Sequence, residues 1–301
     1  MGIDKASVRI LLEGLEAGAS FDHVLTIGRQ ELHIKKSELT SLLSRHGIDV
    51  SSEAATKIFT DASGYCEPLF RFLGAHKVDS LDISTFEGAS IQHDMNEPLP
   101  KELSERFTFV FDGGSIEHVF HYPVALKSCM QALSIGGHFI AVTPANNLMG
   151  HGFYQFSPEL FFRAFTRTNG FEIMKVFLYE YPWKSAVWYE VPDPEGVRSR
   201  VVLKNRHPVY LIVWAKRIAS VPIFAQAPQQ SDYAAAWRRS ATVSDPTQEQ
   251  SYRPPFYKLY KRYAPAWTKK LYLTMRPFGS GLYKKVSPAD ALFRQASKLK
   301  I

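Results

Sequence analysis

Three aspartates stand at comparable places in this chain, each just after a short apolar or β-branched run: Asp82 after KVDSL, Asp94 after ASIQH and Asp112 after FTFVF. An ionised carboxylate can accept two O–H bonds from a vicinal diol. Beside an apolar residue, as in Asp94-Met95, it can take an amino donor while the neighbour covers a flat face. Each of these acids can equally cap the helix that follows it. Five residues past Asp112 comes the pair Glu117-His118, and His118 is the first candidate proton acceptor because imidazole titrates near neutral pH. His151, set between Gly150 and Gly152 in MGHGFYQF, is the second candidate, with Tyr154, Gln155 and Phe156 as one wall of an acceptor pocket. Asn146 and Asn147 either position a substrate or turn the chain. EHVFH sets His118 and His121 three apart, but without a further convincing ligand no metal site is expected.

The elements that must position these residues recur along the first 145 positions. Between most of five runs, HVLTIG, KVDSLDI, ASIQHD, FTFVFD and GHFIAVTP, lie segments of helical spacing such as Val124, Leu126, Met130 and Leu133. Strands alternating with helices predict βαβ units and a parallel sheet covered on both faces, joined by right-handed crossovers. Ligands of such sheets bind at the carboxyl ends of the strands, where the acids, Gly28 and Asp112-Gly113-Gly114 fall. FEIMKVFLYEY (171–181) and PVYLIVWAKR (208–217) are expected to form an antiparallel pair at one sheet edge. Residues 30–76 are expected to hold two helices, and Ser157-Pro158-Glu159 marks a helix start with Ser as N-cap and Pro at N1. Residues 182–207 are expected to be a polar loop or cover.

In this order and spacing the residues resemble the class I S-adenosylmethionine-dependent methyltransferases, the seven-stranded Rossmann-like family. The resemblance covers roughly residues 20–215. It is strongest in DISTFEGASIQHDMNEPLP, FTFVFDGGSIEHVFHYPVALKSCMQALSIGGHFIAVTP and GHGFYQFSPELF. It implies a mostly parallel α/β sheet, S-adenosylmethionine as cofactor and transfer of a methyl group. By the same resemblance Asp82-Ile83 meets the ribose, Asp94-Met95 the adenine, and Gly28 and Asp112-Gly113 the rest of the cofactor. Glu117, His118 and His151 then lie near the acceptor, with Asn146, Asn147 and Tyr154 as substrate contacts. VLTIGRQEL (24–32) departs from the family pattern. Thr26 stands near the usual acid, and Arg29 and Gln30 follow Gly28 where further glycine is usual. Arg29 either enters the cofactor loop, pairs with the cofactor carboxylate, or points to solvent or caps a nearby carbonyl. Alternatively Gly64-Tyr65-Cys66-Glu67 folds over the cofactor. A rebuilt loop is favoured over a relic, because the other strand ends keep their acids. No G-x-G-x-x-G follows the first strand, which argues against a nicotinamide-dependent dehydrogenase.

Composition sets the remaining expectations. The 301 residues are 45% hydrophobic and contain two isolated cysteines, Cys66 and Cys129, so a reducing cytoplasm is the expected compartment. The net charge of +7 is unevenly spread. Residues 251–301 carry twelve of the 36 basic side chains against the single acid Asp290, and the first 250 hold 24 basic and 28 acidic ones. Phe256, Leu259, Tyr260, Tyr263, Trp267, Leu271 and Met275 trace an apolar stripe among lysines, divided by Pro265. This extension is expected to be helical, and either packs on the protein or lies on an anionic membrane surface. Nucleic acid is not expected as a partner, since no groove-reading motif accompanies the charge. The expected organisation is a methyltransferase-like domain over 1–220 with a substrate-side cover at 145–207. A linker-like stretch at 221–250 and the basic extension at 251–301 complete it. The acceptor is expected to be a small molecule, a hydroxyl or amine of a sugar or glycan precursor. The alternative is a non-catalytic interaction or scaffold protein of the same fold, with membrane association as an option.

Overall fold

A computed structural model describes residues 2–48, 52–60, 64–181, 186–197, 200–203, 205–242 and 284–286. Its strands are β1 (Gly2–Ile3), β2 (His23–Ile27), β3 (Glu31–Leu32), β4 (Lys77–Asp82), β5 (Ile91–Gln92), β6 (Phe107–Asp112), β7 (Leu133–Asn146), β8 (Phe171–Glu180), β9 (Val187–Glu190), β10 (Val209–Arg217) and β11 (Lys284–Val286). Its helices are α1 (Lys5–Glu16), α2 (Lys36–Arg45), α3 (Ser52–Thr60), α4 (Glu67–Phe72), α5 (Tyr122–Ala132), α6 (Pro158–Ala164), α7 (Pro194–Val197) and α8 (Ser231–Thr242). The large sheet runs β11-β9-β8-β10-β7-β6-β2-β4-β5.

From β7 to β5 the sheet is parallel. The chain travels outward from β2 through β4 to β5, then returns to the other side of β2 with β6 and β7. Strand order therefore reverses between β2 and β6, the switch point where α/β sheets open a crevice. β10 lies antiparallel between β7 and β8. The two late runs do pair antiparallel as expected, but they are not the sheet edge. β9 adds beyond β8, and β11 beyond β9. β9 and α7 fall within 182–207, which has more regular structure than its polar composition suggested. Residues 30–76 hold three helices, α2, α3 and α4, rather than two.

Strand periodicity divides the apolar side chains between two cores. Leu25, Ile27, Leu81, Val110 and Ala141 face one side, with α5 and α6. Val24, Phe109, Phe111, Ile140 and Ile212 face the other, with α1, α2 and α4. Phe107 and Phe109 belong to opposite cores because the pairing of β6 with β7 shifts register between them. Local signals fix the helix starts. Asp4 accepts from the Ser7 amide at 2.8 Å ahead of α1. Ser157 accepts from Glu159 at 3.3 Å ahead of α6, with Pro158 at the first position as expected. In the linker-like stretch, residues 231–242 form α8. Of the basic extension only Lys284–Val286 is described, as a strand, and the aromatic stripe lies outside the described residues. Among the described residues no helix is long and apolar enough to cross a membrane. Cys66 and Cys129 are both free and buried.

Candidate active site

The carboxyl edge of the parallel sheet assembles the candidates in strand order. Ile27 pairs with Leu81 on one side and with Asp112 on the other. Gly28 thus sits between the ends of β4 and β6, its amide donating to the Leu81 carbonyl at 2.7 Å. Two inter-strand steps, roughly 10 Å, separate the backbones carrying Asp82 and Asp112. Asp94 follows β5, the next strand beyond β4, with its neighbour Met95 buried and Ile83 exposed.

Each acid also serves its own turn. Asp82 accepts from the Ser84 amide at 3.1 Å, Asp94 from the Asn96 amide at 2.9 Å and Asp112 from the Ser115 amide at 2.8 Å. All three bonds use Oδ1. The amide and side chain of Asn96 hold the Asp94 carboxyl below the usual carboxylate range. Asp112 is fully buried, and its Oδ2 has no hydrogen-bond partner among the described residues. Burial raises its pKa, since an ionised carboxylate is poorly solvated there.

The loop after β2 resolves the departure at Gly28-Arg29-Gln30. Arg29 turns away from the crevice. Its Nε donates to Glu67 Oε1 at 2.7 Å, one Nη to the Glu87 carbonyl at 2.7 Å, and its guanidinium lies 4.0 Å over the Tyr65 ring. It therefore ties α4 to the loop after β4, the carbonyl-capping alternative. Gln30 is the side chain that turns in. Its Nε2 donates to the Ile27 carbonyl and to Ser115 Oγ at 3.0 Å, while Oε1 is buried with no hydrogen-bond partner among the described residues. A methyl group on Gly113 would stand 2.3 Å from that Oε1, so Gly113 is what admits Gln30. Gly64-Tyr65-Cys66 packs along this loop rather than over the crevice, with Leu32 donating to Gly64 and Cys66 to Gln30.

Beyond Asp112, Glu117-His118 lies in a single 3₁₀ turn, Ile116–His118. Glu117 is fully buried. Its Oε2 accepts from Thr143 Oγ1 at 3.3 Å, and its Oε1 lies 3.7 Å from His151 Nε2. Burial and then the Asp112 charge raise the Glu117 pKa. The His118 and His151 rings are 5.5 Å apart, and burial followed by His151 lowers the His118 pKa. The loop carrying His151 is clamped to this turn, because the Phe153 and Tyr154 amides donate to the Glu117 carbonyl at 2.9 and 3.3 Å. Gly152, at φ +77°, is pressed so close that a Cβ would stand 3.0 Å from that carbonyl and 3.3 Å from the His118 ring.

Tyr154 stacks on Phe156 and donates to the Phe120 carbonyl at 2.6 Å. Phe120 and Phe153 meet edge to face at 5.9 Å and remain exposed. Asn146 and Asn147 are occupied with Asn205, and Asn147 also donates to the His207 carbonyl at 2.8 Å. His121 turns toward Asn96 instead. Sequence reasoning missed Gln30, Ser115 and Thr143. Only Gly113, a glycine directly opposite a rebuilt loop, signalled that a side chain from elsewhere fills that space.

The sheet is doubly wound, its strand order reversing between β2 and β6, and it carries acids along its carboxyl edge. No protein-family model matches the chain, and no curated protein does. Solved structures show a distant likeness. The 1,6-didemethyltoxoflavin-N1-methyltransferase of Burkholderia thailandensis aligns at 13% identity over 71% of this chain and 78% of that one, with a TM-score of 0.34. The branched-chain polyamine synthase of Thermus thermophilus aligns at 12% over 75% and 60%, with a TM-score of 0.34. The YcgJ protein of Bacillus subtilis aligns at 9% over 72% and 100%, with a TM-score of 0.36. At these values the likeness assigns no residue and no reaction.

Proposed function

We propose that the protein is an S-adenosylmethionine-dependent methyltransferase acting on a small-molecule acceptor, a hydroxyl or amine of a sugar or glycan precursor. The observation that carries this reading is a run of acids at adjacent strand ends that culminates in buried carboxylates with no Lys or Arg partner among the described residues. Buried charge of one sign is costly unless compensated. A sulfonium ligand brings the compensating charge, and the unpaired Asp112 Oδ2 and Gln30 Oε1 offer acceptors for a cationic, amine-bearing ligand. Asp82 would hold the ribose diol, and Asp94-Met95 the adenine.

When bound, the cofactor supplies an electrophilic methyl group. What the chain must contribute is position, because in-line displacement gains most from orientation of the acceptor. Phe120, Phe153 and Tyr154 present aromatic surface for a sugar-sized acceptor beside the Glu117 turn. His118, whose pKa burial and then His151 lower, would accept a proton from a hydroxyl that must lose it early. Attachment of residues 251–301 to an anionic membrane surface belongs to the same proposal, as does a cytoplasmic location.

Calorimetry with S-adenosylmethionine and S-adenosylhomocysteine tests the reading. The intact chain should bind both one-to-one, and Asp82→Ala should weaken both by about tenfold or more, because a charge-assisted bond pair is removed. An intact chain that binds neither ligand is not a methyltransferase.

A further inference from the structure

We propose that Glu117, His118 and His151 form a site for a divalent transition-metal ion of the zinc class. One ligand atom from each lies within 4.8 Å of the others, and Glu117 Oε1 stands 3.7 Å from His151 Nε2. Ligand bonds of about 2.0–2.2 Å place the donor atoms of one ion roughly 3–3.5 Å apart, so small side-chain rotations close the site. Two imidazoles and one carboxylate suit zinc, iron or manganese rather than calcium or magnesium.

Two further features point to a ligand here. The Glu117 side chain is fully buried, and its Oε1 has no hydrogen-bond partner among the described residues. Such an atom is costly unless something fills its lone pairs. The second oxygen is steadied by Thr143, as metal-binding carboxylates usually are by a neighbour. The other feature is the loop itself, where Gly152 permits the approach that sets His151 beside Glu117. His151 keeps a third of its side chain exposed, which gives an ion a way in. The expectation drawn from EHVFH, that no metal binds, weighed His121, which turns toward Asn96.

Three protein ligands leave coordination positions open. On the methyltransferase reading, on which this step rests, an open position takes the acceptor's oxygen or nitrogen, and His118 is a ligand rather than the proton acceptor. For a hydroxyl acceptor whose proton passes to solvent through the opening beside His151, the charges balance: a divalent ion and a sulfonium bring three positive charges, against ionised Asp112, ionised Glu117 and the bound alkoxide.

Chelator-treated full-length protein titrated with zinc chloride decides the matter. One ion should bind per chain. His118→Ala and His151→Ala should each weaken it on the order of tenfold or more, and His121→Ala should leave it unchanged. Zinc should raise the melting temperature of the wild type and of His121→Ala equally, and that of the other two by less. A wild-type isotherm without a one-to-one site overturns the proposal, and so does undiminished binding in both alanine variants. Parallel titration with S-adenosylhomocysteine separates the claims. Cofactor binding without zinc binding removes the metal site alone, and zinc binding without cofactor binding removes the methyltransferase reading alone.

Discussion

Gln30 occupies the place where glycine would leave room, and it does so by spending its amide on the Ile27 carbonyl and Ser115. Arg29, the more conspicuous departure in the sequence, is bound elsewhere by Glu67 and the Glu87 carbonyl. The loop thus closes around a neutral side chain, which on the proposed function could lie near a sulfonium without electrostatic penalty. A guanidinium there would repel it. On the proposed function His118 would serve either as proton acceptor or as metal ligand, and both roles make the same demand. His118→Ala should bind S-adenosylhomocysteine normally. Methyl transfer to a panel of sugar hydroxyls and amines should fall about tenfold or more. Unchanged turnover would take His118 out of the chemistry.

Among the elements, the segment after β7 does the most to assemble the site. Gly152 sits at φ +77° under the Glu117 carbonyl, where any side chain is both strained and crowded. Gly152→Ala should lower stability by about 1–2 kcal/mol and reduce transfer by more than it reduces cofactor affinity, measured by urea unfolding and calorimetry. Between β7 and β10, the buried His138 accepts from Trp214 Nε1 at 2.9 Å, which requires a neutral Nδ1. Burial, then Lys216, lowers the His138 pKa to about 4. The unfolded chain takes up that proton near pH 6.5 and the folded chain does not. The contribution of His138 to stability is therefore complete above about pH 6.5, and is lost progressively as pH falls toward 4. His138→Gln keeps an acceptor for Trp214 but cannot titrate. Unfolding free energies of the two proteins should diverge across that window by on the order of 2–3 kcal/mol in favour of the variant. Parallel slopes would show that His138 titrates normally.

At the scale of the whole molecule, a mildly acidic body is joined to a strongly basic extension, twelve basic side chains against Asp290 over 251–301. Co-sedimentation with anionic vesicles should therefore be strong at low salt and fade as the Debye length shortens. Deleting residues 251–301 should abolish it. Deletion also removes β11, the outermost strand on β9, so the truncated protein's melting curve must be recorded alongside. Vesicle binding that survives deletion would place the contact on the domain itself.

What the sequence by itself determined follows from local physics: β-branched runs spaced by helical periods, an acid at each of three strand ends, Ser157 before Pro158. Those signals sit within a few residues of what they specify, so the parallel core, the order of the acids along its edge and the start of α6 were all legible. Tertiary structure alone decided the rest. Gln30 reaches Gly113 and Ser115 across some 85 positions of sequence, and His151 meets Glu117 through a loop clamped by backbone bonds. β9 extends the sheet from a stretch whose composition is polar. None of these leaves a periodic trace, because each depends on which distant backbone lies opposite, and that is settled only when the sheet closes its register.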